Sequence, residues 1–424
     1  MLRTILVLGA VIGCLATAHS AAQTRPAAAE RLGALASPLF PADNWWNQDV
    51  SAAPIDARSV TFISFVGGTR RLHPDFGGYE SPGSVNIYGF PYVVVGADQP
   101  KKAVTFYYAD ESDGVDHATG RGVPFYPIPD EAITQPYWIE GGPAGNANPG
   151  GDRHMLIVDR DTRVLYELFD LRWDGSQWTA GSGAAFDLRT TGRRPEGWTS
   201  ADAAGLAILP GLVRYDETTG ADEIRHAFRV TVRATNGYVW PASHRAGSNS
   251  QALPMGARLR LKANKDLSAF HPAVQRIFRA MQRYGLIVAD NGSDMFISGA
   301  FDPRWNNDIL NPAFGALTAG DFDVIELGWR GTTSSCAPLG TPSPFSVTVS
   351  GRFVVLNWAG VAGAIDYVID VGSASGGSDL LVAPVGNVTS ISTTADPRVY
   401  YVRVRARSAC GSSAASNEVI VRIS

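Results

Sequence analysis

Gly151-Asp152-Arg153-His154, running into Met155-Leu156-Ile157-Val158-Asp159, then Asp161-Thr162 and the run from Val164 to Trp173, is the stretch on which the reading of this chain turns. Two apolar, β-branched runs around a short polar turn read as a β-hairpin. Strand alternation puts Asp152, His154, Leu156 and Val158 on one face. If Arg160 to Arg163 makes a four-residue turn, residue 156 lies opposite 167 and 154 opposite 169. Glu167 then shares a face with His154 at the diagonal, roughly 7–8 Å away. A three- or five-residue loop would give His154 the face of Tyr166 and Asp170 instead. Ionisable groups seldom sit on an apolar sheet without a partner or a task, so Asp152, His154 and Glu167 head the candidates.

Further strand-like runs surround the hairpin: Val60 to Val66, Tyr92 to Val95, Ala103 to Tyr108, Ala227 to Val232, Arg258 to Leu261 and Leu286 to Ala289. One helix stands out, Pro272 to Tyr284, with Pro at its start and Gly285 just past its end. Its stripe of Val274, Ile277, Phe278 and Met281 would pack on a sheet. A short helical turn is expected after Ser200, whose hydroxyl can cap it. The fold class expected is all-β: a large β-sandwich or jelly-roll-like main domain over 38–330 with one packed helix, followed by a small module. A chain of 424 residues exceeds a single core. Its 45 Gly and 26 Pro are scattered, as in a turn-rich folded protein. Net charge is -4 with no Lys/Arg run, which argues against a nucleic-acid groove or a polybasic membrane patch.

The N-terminus reads as a secretory signal over 1–20. Arg3 precedes an apolar run, Ile5 to Ala16, too short to span a bilayer, and small residues around Ala16-Thr17-Ala18 and Ala18-His19-Ser20 offer cleavage sites. Val11-Ile12-Gly13-Cys14 resembles a lipoprotein cleavage site, but the apolar run continues past Cys14, so free secretion is expected and an anchor at Cys14 is the alternative. No later segment is long and apolar enough to cross a membrane. Cys336 and Cys410 remain, an even pair that reads as a disulfide in an exported protein. It would close a loop of about 74 residues and stabilise by roughly 4 kcal/mol.

After a Ser/Thr/Gly/Pro-rich linker at 331–344, the section 345–424 alternates short β-rich runs with turns: Phe353 to Trp358, Tyr367 to Val371 and Val399 to Val404. With Trp358 on the second strand, Tyr401 on the sixth and the ending Ser416-Asn417-Glu418-Val419, it resembles a fibronectin type III module. That resemblance implies an immunoglobulin-like sandwich serving as spacer or docking unit, and carries no reaction. The phrases Leu72-His73-Pro74-Asp75-Phe76-Gly77 and Gly151-Asp152-Arg153-His154 resemble those of uncharacterised exported bacterial proteins, with no activity to transfer.

No Gly-x-Ser-x-Gly elbow, His-Glu-x-x-His helix, phosphate loop or dinucleotide fingerprint is present. Chemistry therefore falls to carboxylates. Glu167 in an apolar wall would have a raised pKa and donate a proton, Asp152 in a wetter place would act as its ionised partner, and His154 would orient either one. Such a pair suits glycosidic cleavage. The plain alternative pairs Glu167 with Arg153 or Arg172 and leaves His154 a satisfied core residue. His73 and Asp75, joined to Asp152 and His154, would offer two nitrogens and two oxygens to a divalent cation such as calcium or zinc, with turn capping as the commoner explanation. His226, at a strand start, is a further candidate or a buried structural histidine. His244 follows Trp240 in a loop that could line a cleft, while His117 and His271 look structural or exposed.

The acidic turns Asp110-Glu111-Ser112-Asp113 and Asp290-Asn291-Gly292-Ser293-Asp294 read as turns first and calcium loops second. Glu140, on a Gly-rich loop, is an outside candidate for a second acid. Loop tryptophans beside amides and acids, notably Trp45, Trp46, Trp240 and Trp305, would grip a sugar ring. The expectation is a secreted carbohydrate-active enzyme, a glycoside hydrolase whose partner is an extracellular polysaccharide, with no organic cofactor. The alternatives are a non-catalytic glycan-binding or adhesion protein, and a metal-dependent hydrolase or polysaccharide lyase.

Overall fold

A computed structural model describes residues 29–331 except 221, and 339–423 except 365, 409 and 410. The readings of 1–20 as a signal, of Cys14 as an anchor and of Cys336–Cys410 as a disulfide lie outside the described residues.

The hairpin forms as the alternation predicts. Strand Met155–Asp159 pairs antiparallel with Val164–Phe169, with Leu156 opposite Glu167 and Met155 opposite Leu168. This is the register of the four-residue turn. The hairpin sits in a five-stranded sheet completed by Glu30–Arg31 and Tyr92–Val95 on one side and Ser182–Asp187 on the other. Its two faces feed two cores. Met155, Ile157, Tyr166 and Leu168 pack with Val104, Tyr126, Ile128 and Trp178 on one side. Leu156, Val158 and Leu165 face the other way and join the largest core.

That larger core is closed by a six-stranded sheet built from Phe322–Val324, Arg258–Leu261, Leu286–Asn291, Phe228–Val232, Phe296–Ser298 and His73–Asp75. Two sheets with apolar faces toward one interior make the sandwich. Both are mixed: Tyr92–Val95 runs parallel to Met155–Asp159, and Phe228–Val232 parallel to Leu286–Asn291. Helix Pro272–Arg283 covers the second sheet through Val274, Ile277, Phe278, Ala280 and Met281, and His271 caps its start through an imidazole nitrogen that accepts from the Ala273 N–H. All-β architecture with one long packed helix is therefore what the chain adopts.

Two local expectations change. The run from Val60 to Val66 is a helix, Ser59–Val66, not a strand. Its buried positions Ser59, Phe62, Ile63 and Val66 follow helical spacing, and docking on the sheet overrides the preference of Val60, Thr61 and Ile63 for extended backbone. After Ser200 there is a hydrogen-bonded turn and no helix: the Asp202 N–H donates to the Ser200 hydroxyl at 2.9 Å.

The terminal module is a small sandwich of its own. Phe345–Ser350, Phe353–Trp358 and Ser390–Thr394 form one sheet, and Leu381–Gly386, Asp366–Gly372, Arg398–Ser408 and Val419–Ile423 the core of the other. Trp358 and Tyr367 pack between them. Among the described residues, no helix is long and apolar enough to cross a membrane.

Candidate functional site

At one end of the sandwich the two sheets part around a cleft of about 370 Å³. The hairpin contributes Asp152 and Phe169, the six-stranded sheet contributes Asp290, and the loop 199–203 forms a wall that carries Asp202. Clefts of this size, closed by loops over a rigid scaffold, fall in the range of ligand sites.

Behind the cleft lies Arg229, 3 % exposed, on the strand Phe228–Val232. Its Nε donates to Asp202 Oδ2 at 3.2 Å and its Nη1 donates to the Ser298 hydroxyl at 2.7 Å. Nη2 lies 3.6 Å from Asp290 Oδ2. Phe90 covers the guanidinium, 5.4 Å from ring centroid to Cζ. Two carboxylates thus share one arginine. Asp202 is fully buried, and desolvation lifts its carboxyl above the usual range despite the charge of Arg229. Its second oxygen, Oδ1, has no hydrogen-bond partner. Asp290 keeps about a quarter of its side chain open (27 %). Desolvation first, then the charge of Asp202, pushes its carboxyl up to about 6.

Three buried side chains of the sheets hold the loop that carries Asp202. Glu167, with no exposure, accepts from the Ile208 N–H at 2.8 Å and the Leu209 N–H at 2.9 Å. Burial lifts its carboxyl to about 7. The Ser182 hydroxyl donates to the Ser200 carbonyl at 2.7 Å. His154 lies between Glu140 and Ala201: Nδ1 is 2.6 Å from Glu140 Oε2, and Nε2 is 2.9 Å from the Ala201 carbonyl. Burial alone would discharge this imidazole, but Glu140 raises it to about 9, so both nitrogens carry protons at neutral pH and both donate.

The structure brings Asp152, His154 and Glu167 to one region in different roles. Asp152 lines the cleft; His154 and Glu167 are sealed behind it as supports. Neither Arg153 nor Arg172 pairs with Glu167. Arg153 is spent on the carbonyls of Glu140, Pro143 and Ala144, and Arg172 on Asp170, Asn148 and Pro149. Asp75 and Glu140 border a second hollow of about 290 Å³ that also touches Asp152. His73 packs instead against Phe296, its ring tilted by 36° with centroids 4.3 Å apart. The proposed cation set of His73, Asp75, Asp152 and His154 is not assembled, because both nitrogens of His154 are engaged. Among the described residues, no three His, Cys, Asp or Glu side chains gather so as to hold a metal ion.

His226 lies away from the cleft, against Glu217 at 3.1 Å. His244 does line it, with Nδ1 2.9 Å from the Ala203 carbonyl. The acidic turns are tied down by the chain: Arg194 pairs with Asp113, the Thr199 N–H donates to Glu111 at 2.8 Å, and Arg233 pairs with Asp294 at 2.5 Å. The four tryptophans are not on the cleft. Trp45 and Trp46 are core, Trp240 packs edge-on against Trp45, and Trp305 lies against Phe76 and Tyr215 while donating to the Ala300 carbonyl. The aromatic lining is Tyr108 and Phe169.

Asp202 and Arg229 are absent from the sequence-derived candidates, and Asp290 figures there only as part of a turn. Locally the run Phe228–Val232 alternates apolar and polar residues, with Arg229 and Thr231 on one face, so nothing in it marks the arginine as buried.

No family model matches this chain. No curated protein matches it either. Among solved structures, the chain is similar to the fibronectin type III domain of the human collagen α1(XX) chain, at 26 % identity over 22 % of this chain and 92 % of that one, TM-score 0.18. It is also similar to a fibronectin type III-like protein from Clostridium thermocellum, at 25 % identity over 20 % of this chain and 92 % of that one, TM-score 0.17. A third likeness is to the spore cortex lytic enzyme SleM of Clostridium perfringens, at 14 % identity over 24 % of this chain and 33 % of that one, TM-score 0.18. Each of these likenesses covers between 20 % and 24 % of this chain.

Proposed function

We propose that the main unit is a secreted hydrolase of glycosidic bonds in an extracellular polysaccharide, with Asp290 as proton donor and Asp152 as the partner carboxylate. One observation carries this reading: Asp290 borders a ligand-sized cleft and holds its proton up to about pH 6, while Asp152 borders the same cleft. Cleavage of a glycosidic bond needs an acid to protonate the leaving oxygen and a second carboxylate to meet the positive charge developing on the sugar. Asp202 and Arg229 lie behind Asp290 and set its proton affinity. Glu167 and His154 hold the loop that carries Asp202. Phe169 and Tyr108 offer apolar faces for a ring. The terminal module would serve as spacer or docking unit.

The test is incubation of the purified protein with a polysaccharide panel, followed by reducing-end and product analysis. Reducing ends released by the wild type and lost in Asp290→Asn, with the melting temperature retained, support the reading. Turnover undiminished in Asp290→Asn and in Asp152→Asn would falsify it.

A further inference from the structure

The charges around the cleft are one-sided. Glu111, Asp152, Asp202 and Asp290 line it, and among the described residues no lysine or arginine does. The second hollow, which shares Asp152, adds Asp75 and Glu140, the latter already paired with the charged His154. The arginine that borders it, Arg153, is 1 % exposed and committed to backbone carbonyls. Arg229 neutralises part of this charge from behind, yet it leaves Asp202 Oδ1 without a partner. A buried carboxylate oxygen with no donor is costly, and a ligand that brings its own donor relieves that cost. Asp202 is among the residues that line the cleft.

We infer that the ligand of this cleft is a cationic glycan, an amino-sugar polymer whose free ammonium groups meet Asp202 Oδ1 and the Glu111 carboxylate. This rests on the hydrolase reading only for the identity of the cleft as the substrate site. An ammonium supplies three N–H donors and a full positive charge, which matches an orphan acceptor within a carboxylate-lined wall. Neutral sugars would leave the excess negative charge uncompensated. Uronates, sulfated and phosphorylated polymers would be repelled. Because the two hollows meet at Asp152, the acidic lining extends beyond one ring, so a polymer with repeated amines fits better than a single amine.

The experiment is calorimetric titration of the full chain at about pH 6.5, below the ordinary amine range and above the pH at which Asp290 gives up its proton. The probes are a glucosamine tetramer, its N-acetylated counterpart, a galacturonate tetramer and calcium chloride. We expect the glucosamine tetramer to bind at least about tenfold tighter than the other two glycans, with the advantage shrinking at high salt. Glu111→Gln keeps an acceptor for the Thr199 N–H and removes one charge, and should cut the preference several-fold without lowering the melting temperature. Equal affinities, a preference for the acetylated or acidic tetramer, or calcium that occupies the cleft and excludes the amine would each overturn the inference. So would an amine preference unchanged in both Glu111→Gln and Asp202→Asn. The two readings fail separately. Tight amine binding with no bond cleaved sinks the hydrolase and leaves this inference standing. Cleavage of a neutral glycan with no amine preference does the reverse.

Discussion

Replacing Asp202 by asparagine should move the pH dependence of turnover in a direction set by the geometry behind the cleft. Asp290 holds its proton up to about pH 6, through desolvation first and the charge of Asp202 second, with Arg229 pulling the other way. Two carboxylates gathered on one guanidinium, at an effective dielectric of about 20, repel by roughly 3 kcal/mol, or about two pKa units. Asp290 is partly open to solvent, which screens the repulsion, so about one unit is the expected change. The amide oxygen of the Asp202→Asn variant can still accept from Arg229 Nε, which keeps the interior bonded. Arg229 is then less neutralised, and this lowers Asp290 further. With the acid at about 6 in the wild type and about 5 in the variant, the protonated fraction at pH 6.5 drops roughly eightfold, and kcat/KM should drop with it. Near pH 4 the two proteins should differ little. The assay is reducing-end release across pH 4 to about 8, with melting temperatures measured alongside. An alkaline limb that stays put or moves upward in a folded variant would refute the assignment of Asp290 as the acid.

Other expectations follow from the supporting groups. Glu140→Gln removes the partner that keeps His154 charged at about pKa 9; at pH 7 the loss should be about 3 kcal/mol, read by urea unfolding. Glu167→Gln replaces one accepting oxygen with an amide facing the Ile208 and Leu209 N–H groups, and should lower stability by about 1–3 kcal/mol while leaving the alkaline limb of turnover near pH 6. The melting temperature should fall between about pH 6 and pH 9. Asp290 and Glu167 hold protons more tightly folded than unfolded, so their contribution is present below the unfolded values and lost as pH rises through about 6 and about 7. His154, raised from 6.5, adds stability that is lost through about 9. A melting temperature that rises across this window would contradict the direction of all three shifts.

The hairpin was legible because period-2 alternation and turn length are local facts: Leu156 opposite Glu167 follows from four residues between the strands. Arg258–Leu261 and the helix from Pro272 were legible for the same reason, since each carries its own signal in its own residues. The helix at Ser59–Val66 was not, because β-branched residues obscured a helical spacing that only docking makes decisive. At the site, sequence singled out Asp152, His154 and Glu167 but could not tell lining from support. That distinction depends on where the loop 199–208 lies, far along the chain from the hairpin. Asp202 sits among small residues, Ala201, Ala203 and Ala204, with nothing local to mark it. The tryptophans misled because a Trp beside Asn or Asp has the same local sequence whether it stacks on a ligand or, as with Trp46, fills the core.

The sandwich interior carries Glu167, His154, Asp202 and Arg229, each nearly or fully buried, in a place where leucine or methionine would cost less. Buried ion pairs seldom repay their desolvation, so stability alone is a weak reason for the set. Their arrangement suggests another. Glu167 and His154 meet the two ends of the loop around Asp202, at Ile208 and at Ala201. Asp202 and Arg229 in turn face Asp290, the acid that opens to the cleft. His154 and Arg229 are therefore each one contact from a residue that lines the cleft, and Asp202 lines it. An apolar interior of the same volume would hold the sheets together, but it would leave the loop unpinned and Asp290 without the neighbouring charge that raises it. The network is best understood as the means by which a dry interior fixes the proton affinity of a wet carboxyl.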